Sequence, residues 1–297
     1  VGIIDLREEA LAKNPTPVSR ALRHRVEQAL QAGQQAILFL NRRGLHRCLV
    51  CEDCGEAARC PECGIALVSH SGSAGREFLL CHQCGRVYGV MPRCTHCGSS
   101  KLRFFGSGTA QIERVVKTLF PDRRVVRIDR DTTAAKSGFS DLHETFASGE
   151  ADILVGTQII AKGLDFANVG VVGILDADAG MRMPDVGAAE RTFQLLTQVA
   201  GRAGRRGQAA EVVIQTRLPE LRLWQTLRSG TPDAFYAEEL RVREQHFLPP
   251  VSRMAKLIFA AKTKAGVFAP ARKLETLLKQ RAGELLPDER IDVFVAP

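Results

Sequence analysis

The sequence predicts an α/β protein in which helices cover both faces of a parallel sheet, interrupted by a small cysteine-rich ribbon and followed by a small α+β unit. Short apolar runs alternate with helix-like segments through most of the chain. The run 36–41 is almost entirely apolar, which is typical of a strand buried on both faces. Four Cys-x-x-Cys-Gly repeats are concentrated in residues 51–98, inside the alternating pattern rather than at either end.

Residues 1–47 are predicted to form the first part of the parallel-sheet domain. They contain a strand-like run at 1–6, a helix over about 17–32 that Gly33 should end, and the apolar strand 36–41. Arg42-Arg43-Gly44 then leads directly into the cysteines, which therefore read as an insertion between this strand and its helix. Because the chain starts without Met and within a pattern, we expect it to be a piece of a longer protein.

The cysteine-rich insert, residues 48–101, predicts two zinc sites. Two residues between thiolates let both sulfurs of a tight turn face one ion, and the following Gly can adopt the left-handed conformation that such a turn needs. A disulfide framework is disfavoured because no apolar signal segment opens the chain and its length can bury a core. The predicted ligands are Cys51, Cys54, Cys60, Cys63, Cys81, Cys84, Cys94 and Cys97.

The spacing favours a nested pairing of these cysteines. Because 17 residues separate Cys63 from Cys81, these two turns match a ribbon whose ends close on one ion, and the first and last turns form an outer site. A sequential pairing stays possible, although only residues 55–59 separate the first two turns. Cys48 lacks a following Gly and is expected to pack as a small apolar residue. We expect solvent or phosphate, rather than a metal, to face three histidines: His70, His82 and His96.

Residues 102–248 are predicted to form the second part of the parallel-sheet domain. The turn Gly106-Ser-Gly108-Thr109, between a strand and a helix, could hold a phosphate, or could be a plain turn because it lacks the Lys of a P-loop. The carboxyl ends of parallel strands are where such sheets bind ligands, and the segments 156–166, 176–178 and 198–206 lie there. Strands are predicted at 101–105, 124–128, 152–156, 169–175 and 211–215, and helices at 109–119, 138–148, 188–203, 219–228 and 232–247.

Residues 249–297, which begin at Pro249-Pro250, are predicted to be an incomplete α+β unit with strands at 255–262 and 291–295 and a helix at 269–285. The net charge of +8 favours an anionic partner such as nucleic acid. An aromatic content of 6% disfavours broad base-stacking platforms. No apolar run is long enough to span a membrane, and reduced cysteines favour the cytoplasm.

The segment Gln198-Val-Ala-Gly201-Arg202-Ala-Gly204-Arg205 carries the pattern most typical of phosphate chemistry. Its spacing places one amide and two guanidinium groups on one helical face. Guanidinium forks suit a triphosphate and can stabilise the charge that spreads over the γ-phosphate during transfer. A solvated basic helix end is the simpler alternative. Gly201 and Gly204 count against it, because two glycines destabilise a helix and are best explained if another group must approach the backbone closely.

These segments together resemble the second RecA-like lobe of superfamily 2 helicases. Residues 37–43 resemble motif IV, 157–166 resemble motif V and 198–205 resemble motif VI, and the resemblance covers nearly the whole chain. A cysteine block directly after Asn-Arg-Arg-Gly is similar to that of the replication restart helicases. The resemblance implies a bacterial, cytoplasmic 3′-to-5′ DNA helicase that uses ATP with Mg²⁺ at abandoned forks with single-stranded segments and helps to reload the replicative helicase.

The resemblance also implies roles for individual residues. Gly163 and Asp165 would face the nucleotide, and Gln198, Arg202 and Arg205 would act on its phosphates. The expected partners are forked DNA, primosome and helicase-loading proteins and single-strand binding protein, with no membrane. Ala110 departs from the family, whose members usually carry an acidic residue there. The DNA contacts that the resemblance implies are Thr157, Gly108 and Thr109. By their charge alone, Arg42 and Arg43 are also expected to contact DNA, and Arg86 and Arg103 are further candidates, with an ordinary solvated charge as the alternative for each.

The sequence contains no G-x-x-x-x-G-K-[ST] loop and no DExx box at the end of an apolar strand. The phosphate-binding loop and the Mg²⁺ ligand are therefore expected on a first lobe outside this chain, and the chain alone is not expected to hydrolyse ATP. Two alternatives remain open: a non-enzymatic DNA-binding scaffold that reloads the replicative helicase, and another zinc-ribbon protein such as a transcription or tRNA-modifying factor. No chemistry is expected at the metal ions, because structural zinc sites are closed.

Overall fold

The computed structural model describes residues 1–12, 14, 16–40, 48–71, 77–105, 109–129, 132, 138–157, 166–183, 185–202, 210–257, 259, 264–285, 291 and 293; of residues 10, 105, 201, 202, 264, 265 and 283 it describes the backbone alone. The strands are β1 (Gly2–Asp5), β2 (Gln35–Leu40), β3 (Cys48–Cys51), β4 (Val68–Ser71), β5 (Glu77–Leu80), β6 (Val87–Gly89), β7 (Leu102–Phe105), β8 (Val125–Ile128), β9 (Ile153–Gly156), β10 (Val169–Leu175) and β11 (Glu211–Thr216). The helices are α1 (Leu6–Leu11), α2 (Arg20–Gln31), α3 (Thr109–Leu119), α4 (Gly138–Ala147), α5 (Ala188–Arg202), α6 (Arg222–Ser229), α7 (Asp233–Gln245) and α8 (Lys264–Leu285), with a short 3₁₀ turn at Ala177–Ala179.

Six strands form one parallel sheet in the order β1-β11-β10-β2-β9-β8. Every residue of β2 is buried, and its alternate side chains enter two different apolar clusters. Ile37 and Phe39 pack with residues of α4, α5, α6 and α7, whereas Leu38 and Leu40 pack with residues of α2 and α3. The predicted parallel sheet with helices on both faces is confirmed.

The insert forms a second, antiparallel sheet in the order β6-β5-β4-β3-β7. It lies in the chain between β2 and α3, as the sequence predicts. Strand β7 pairs with β3, with Leu102 opposite Cys51 and Phe105 opposite Cys48. The insert's sheet therefore includes residues that the predicted boundary at 101/102 assigns to the parallel-sheet domain. The three predicted boundaries between the four segments stay predictions.

Helix starts and strand bounds otherwise follow the sequence closely. The Ser19 hydroxyl accepts a 3.1 Å hydrogen bond from the Leu22 N–H and so caps α2, and Gly33 follows that helix with φ 74°. Helix α1 was not predicted. The strand predicted at 255–262 is wrong at described residues 255–257 and 259, which are irregular, and residues 291 and 293 are also outside any strand. After residue 249 the described part of the chain forms α8, which begins before its predicted start.

None of the helices in the described ranges combines the length and apolar character that crossing a membrane requires.

Candidate metal centres and the rim of the parallel sheet

The four Cys-x-x-Cys-Gly turns share one backbone conformation. In each turn the N–H of the first Cys donates to the carbonyl five residues later, and the Gly N–H donates back to the carbonyl of that Cys, over 2.8–3.0 Å. The glycines all have positive φ, which is costly for a residue with a Cβ. Their φ angles are 79° at Gly55, 64° at Gly64, 73° at Gly85 and 75° at Gly98.

The sulfurs of the four turns meet in two groups of four, and within each group all sulfurs lie within 4.8 Å of one another. A tetrahedral zinc ion with ligands at about 2.3 Å requires sulfurs about 3.8 Å apart. Three of the sulfur pairs in the groups are 3.6–3.7 Å apart, so both groups fit such an ion. The groups are Cys60, Cys63, Cys81 and Cys84 (the inner group) and Cys51, Cys54, Cys94 and Cys97 (the outer group), which is the nested arrangement rather than the sequential one.

Backbone N–H groups prepare the first thiol of two turns for ionisation. Burial raises the pKa of Cys60, but the Tyr88 hydroxyl and two backbone N–H groups bring that pKa below its ordinary value. Burial also raises the pKa of Cys51, and the N–H groups of Cys54 and Asp53 reverse the effect. At Cys81 burial dominates and raises the pKa to about 11. A bound cation is therefore needed to hold all four sulfurs of a group as thiolates.

The remaining cysteine and the histidines lie outside both sulfur groups. Cys48 is buried in β3, where its Sγ donates to the Arg182 carbonyl at 3.4 Å and it packs with other small and apolar residues. The rings of His70 and His82 are half-buried, with their Nε2 atoms 2.9 Å apart, and His96 is exposed. The predicted packing of Cys48 is thus seen, whereas two of the three histidines face each other.

A cluster of charged side chains lies at the carboxyl ends of β10 and β11, where the Arg182 carbonyl contacts Cys48 of the insert. Asp178 is 0% exposed; one oxygen accepts from the Thr216 hydroxyl at 2.5 Å and the other from the Arg217 N–H at 2.6 Å. Arg182, also buried, donates to both oxygens of Asp176 at 2.6 Å. We refer to these five residues as the junction.

Burial sets the protonation of the junction. It raises the pKa of the Asp178 carboxyl to about 6, opposed by the charge of Arg182, so the carboxylate is still ionised at neutral pH. Burial lowers the pKa of Arg217, opposed by the junction carboxylates and by Glu52 of the insert. The sequence places 176–178 on the ligand-binding rim, but Asp178 is instead enclosed. The i, i+4 spacing of Asp178 and Arg182 is the sequence signal that could have indicated an ion pair.

The residues expected to contact DNA or nucleotide are only partly described. Thr157 directly follows β9, and its N–H donates to the Ile128 carbonyl at the end of the adjacent strand β8. Gln198 is exposed on α5, and Arg202 ends that helix. Arg86 pairs with Glu62 and Arg103 with Glu52, so both are tied into the insert's surface. Arg42, Arg43, Gly108, Gly163, Asp165 and Arg205 lie outside the described residues.

Thr109 opens α3 at the same edge of the sheet as Thr157. Its hydroxyl donates to Asp129 at 2.5 Å, and Asp129 also accepts from the Thr132 N–H and pairs with Arg127. Burial raises the pKa of Asp129, but these partners lower it below its ordinary value, so the carboxylate is charged. The Thr109 hydroxyl proton is therefore committed to Asp129, and a phosphate at this turn would meet backbone N–H groups instead.

Comparison with known proteins adds to this geometry. Residues 97–207 match the family model of the helicase conserved C-terminal domain. The chain is 40% identical over 283 residues to the replication restart protein PriA of Bacillus subtilis (strain 168). The aligned region covers 95% of this chain and 35% of that protein. The protein of the same name from Chlamydia pneumoniae is 36% identical over 284 residues, which are 95% of this chain and 38% of that protein. The one from Haemophilus influenzae strain Rd is 40% identical over 253 residues, which are 85% of this chain and 34% of that protein.

The chain thus spans between 34% and 38% of the length of these three relatives. Among solved structures, the helicase domain of Hef from Pyrococcus furiosus matches 74% of this chain and 27% of that chain, with 17% sequence identity and a TM-score of 0.30.

Proposed function

The chain belongs to the PriA family of replication restart proteins, and on that premise we propose that it supplies the second motor lobe and the zinc module of an ATP-dependent 3′-to-5′ DNA helicase. The parent protein would act at stalled forks and direct primosome assembly. The observation that carries the proposal is a double Cys₄ insert placed directly after a buried strand of an all-parallel sheet, in a chain similar to PriA over almost its full length.

Each sulfur group would hold one Zn²⁺ ion. The sulfur spacing, the burial of the inner group and the N–H groups directed at its first thiol support this assignment. Four sulfurs complete a tetrahedral shell, so neither ion keeps a position open for a substrate. The zinc ions would therefore shape the insert and take no part in the hydrolysis of ATP.

The rim of the parallel sheet would receive ATP with Mg²⁺ and DNA. A first lobe would deliver the phosphate-binding loop, Gly163 and Asp165 would face the nucleotide, and Arg202 and Arg205 would reach its phosphates, with Gln198 beside them. The α3 turn with Gly108 and Thr109, and Thr157 on the adjacent strand end, would follow the DNA backbone, as would Arg42 and Arg43. Exposed Gln198 and the shared sheet edge of Thr109 and Thr157 support this arrangement.

The partners of the parent protein would be forked DNA with single-stranded segments, primosome and helicase-loading proteins, and single-strand binding protein. The reduced thiols of the two sulfur groups fit a bacterial cytoplasm.

Substitution of Arg202 in the full-length protein tests the motor. Arg202→Ala should lower DNA-stimulated ATP turnover by about 10³-fold while fork binding persists, because the lost guanidinium stabilises charge in the transition state. Arg191→Ala is the matched control, since Arg191 lies on the same helix and pairs with Asp185 on the surface. Equal turnover in the two variants would overturn the motor assignment and leave a DNA-binding scaffold.

A further inference from the structure

The insert is packed against the parallel-sheet domain through both of its sulfur groups. A Cβ at Gly55, in the outer group, would lie 2.3 Å from the Arg217 carbonyl oxygen at the end of β11. A Cβ at Gly64, in the inner group, would lie 2.5 Å from Nε2 of His246, just after α7. At Gly55 the neighbour is backbone and leaves no room for a Cβ, whereas at Gly64 the neighbour is the end of the His246 side chain; both turns lie directly against the parallel-sheet domain.

The loop that joins β10 to α5 also belongs to this contact. Val186 packs against the apolar cluster of the insert, which contains Leu49, Leu67, Leu79 and the four cysteines of the inner group. Earlier in the same loop, the Arg182 carbonyl accepts from Cys48 of β3. The segment that leads into α5 is therefore shared between the insert and the helix that carries Gln198 and Arg202.

The junction lies next to this contact; Asp178 and Arg182 are buried, and Asp176 and Arg217 are partly exposed. Removing charged groups from water is costly unless they are paired and hydrogen-bonded, and removing one partner of a buried pair is strongly destabilising. Asp178 joins the loop to the end of β11 through Thr216 and Arg217, and Arg182 holds Asp176, which has the left-handed angles φ 44° and ψ 61°. The charge of Glu52, in the insert, adds a weaker attraction for the Arg217 guanidinium. The junction therefore fixes the loop that carries the Arg182 carbonyl, the atom that accepts from Cys48 of the insert.

We propose that Asp178 and Arg182 are positioning residues that hold the insert in one orientation on the carboxyl ends of β10 and β11 and, through the loop 176–187, on α5. The functional consequence rests on the proposed helicase function: movement of α5 during ATP turnover would be passed to the insert as one body. The role of Asp178 and Arg182 in orienting the insert does not depend on the helicase function.

Cys48 is a built-in probe of this contact. It is the ninth cysteine, it is buried, and it lies outside both sulfur groups, so a zinc-loaded protein should protect eight thiols by metal and Cys48 by packing. The experiment alkylates full-length, zinc-loaded protein with a maleimide, identifies the modified cysteine by peptide mass and counts zinc in the same sample.

Arg182→Met, which keeps the bulk and removes the charge, should increase the alkylation rate of Cys48 on the order of tenfold with both zinc ions retained, because the junction opens locally. Arg182→Lys should restore part of the protection, and Arg241→Met, at an exposed ion pair on α7 outside the loop, should leave the rate unchanged. Should Arg182→Met fail to fold, Thr216→Val removes one hydrogen bond to Asp178 and should increase the rate about threefold. Protection of Cys48 equal to that of the native protein in the folded variants would overturn the proposal.

The second measurement is the number of base pairs unwound per ATP hydrolysed by the same full-length variants. A positioning role predicts that this ratio falls in Arg182→Met while the DNA-stimulated ATP turnover stays within about twofold, whereas an equal loss of both quantities would indicate general damage and count against it. Cys48 protection requires no helicase activity. The two parts of the inference can therefore fail separately, and only the unwinding ratio depends on the proposed function.

Discussion

The two sheets of this protein are held together by different forces. In the parallel sheet, β2 is buried along its whole length and apolar side chains fill both faces. In the insert the strands have three or four residues each, β6 is largely exposed, and cysteine sulfurs make up a large part of the buried cluster. Hydrophobic burial is sufficient for the first sheet, whereas the second is too small to be stable without cross-links, and metal ions bound at the two sulfur groups would supply them.

The comparison predicts that each region is sensitive to a different kind of substitution. Loss of a ligand should unfold the insert and leave the parallel sheet intact, and a cavity in the parallel sheet should lower global stability while both ions remain bound. Backbone and charge effects at the contact between the two regions should be smaller.

Ligand loss at the inner group should have the largest effect. Cys60→Ser should reduce the zinc content from two ions to one and remove amide protection across β4 and β5, because structural zinc contributes about 10–16 kcal/mol in small zinc domains. Protection in β2, β9 and β10 should persist. Zinc analysis and hydrogen exchange measure both effects.

Cys48→Ser is the matched control and should retain two ions, because Cys48 lies outside both sulfur groups. Two ions bound to Cys60→Ser would contradict the assignment of the ligands.

A cavity in the parallel sheet should rank second. Phe39→Ala, at a fully buried position of β2, should lower the free energy of unfolding by about 3–5 kcal/mol through lost burial and an unfilled cavity. Denaturant unfolding of the parallel-sheet domain gives the value. Phe139→Ala, where Phe139 is 38% exposed, should change it by no more than about 0.5 kcal/mol. A similar effect of both substitutions would argue against the described core.

Two glycines separate the effect of backbone strain from that of docking. Gly98→Ala adds a Cβ in open space and should cost about 1–2 kcal/mol from its positive φ alone, whereas Gly55→Ala adds a clash with the Arg217 carbonyl and should cost about 1–3 kcal/mol more. Both lie in the outer group, so the rate of zinc release to a chelator compares them directly. Equal release rates would show that the Gly55 turn is not seated on β11.

The pH dependence of the junction should give an effect of the same order as the glycine substitutions. The Asp178 pKa is raised to about 6 in the folded protein from 3.8, so the native state binds a proton more readily than the unfolded chain between these values. Stability should therefore fall as pH rises from about 4 to about 6. The contribution that Asp178 makes is at most about 1.4 kcal/mol per pH unit.

Asp178→Asn cannot titrate, so the difference in unfolding free energy between the native protein and this variant isolates the effect. The native protein should gain relative to the variant on acidification through this range. A constant difference would contradict the raised pKa.

Local signals in the sequence were sufficient for much of the fold and for the sulfur groups. The bounds of β10 follow from an uninterrupted apolar run, and each metal turn follows from two cysteines and one glycine because its hydrogen bonds close within six residues. The pairing of β7 with β3 could not be predicted from the sequence, because a short strand such as 101–105 can pair with either sheet. The strand expected at 255–262 was wrong in its described part, because a short apolar run forms a strand only when a neighbouring strand pairs with it.

By itself the sequence determined that this chain has a parallel sheet, an inserted metal module and the pattern of a helicase motif, because each depends on spacing along the chain. Only the tertiary structure decided that Asp178 would be enclosed instead of facing a ligand, that Arg182 would join the loop before α5 to the insert, and that the Thr109 hydroxyl would be committed to Asp129. These contacts join residues from different strand ends. Their geometry arises when the sheets pack, and no local pattern encodes it.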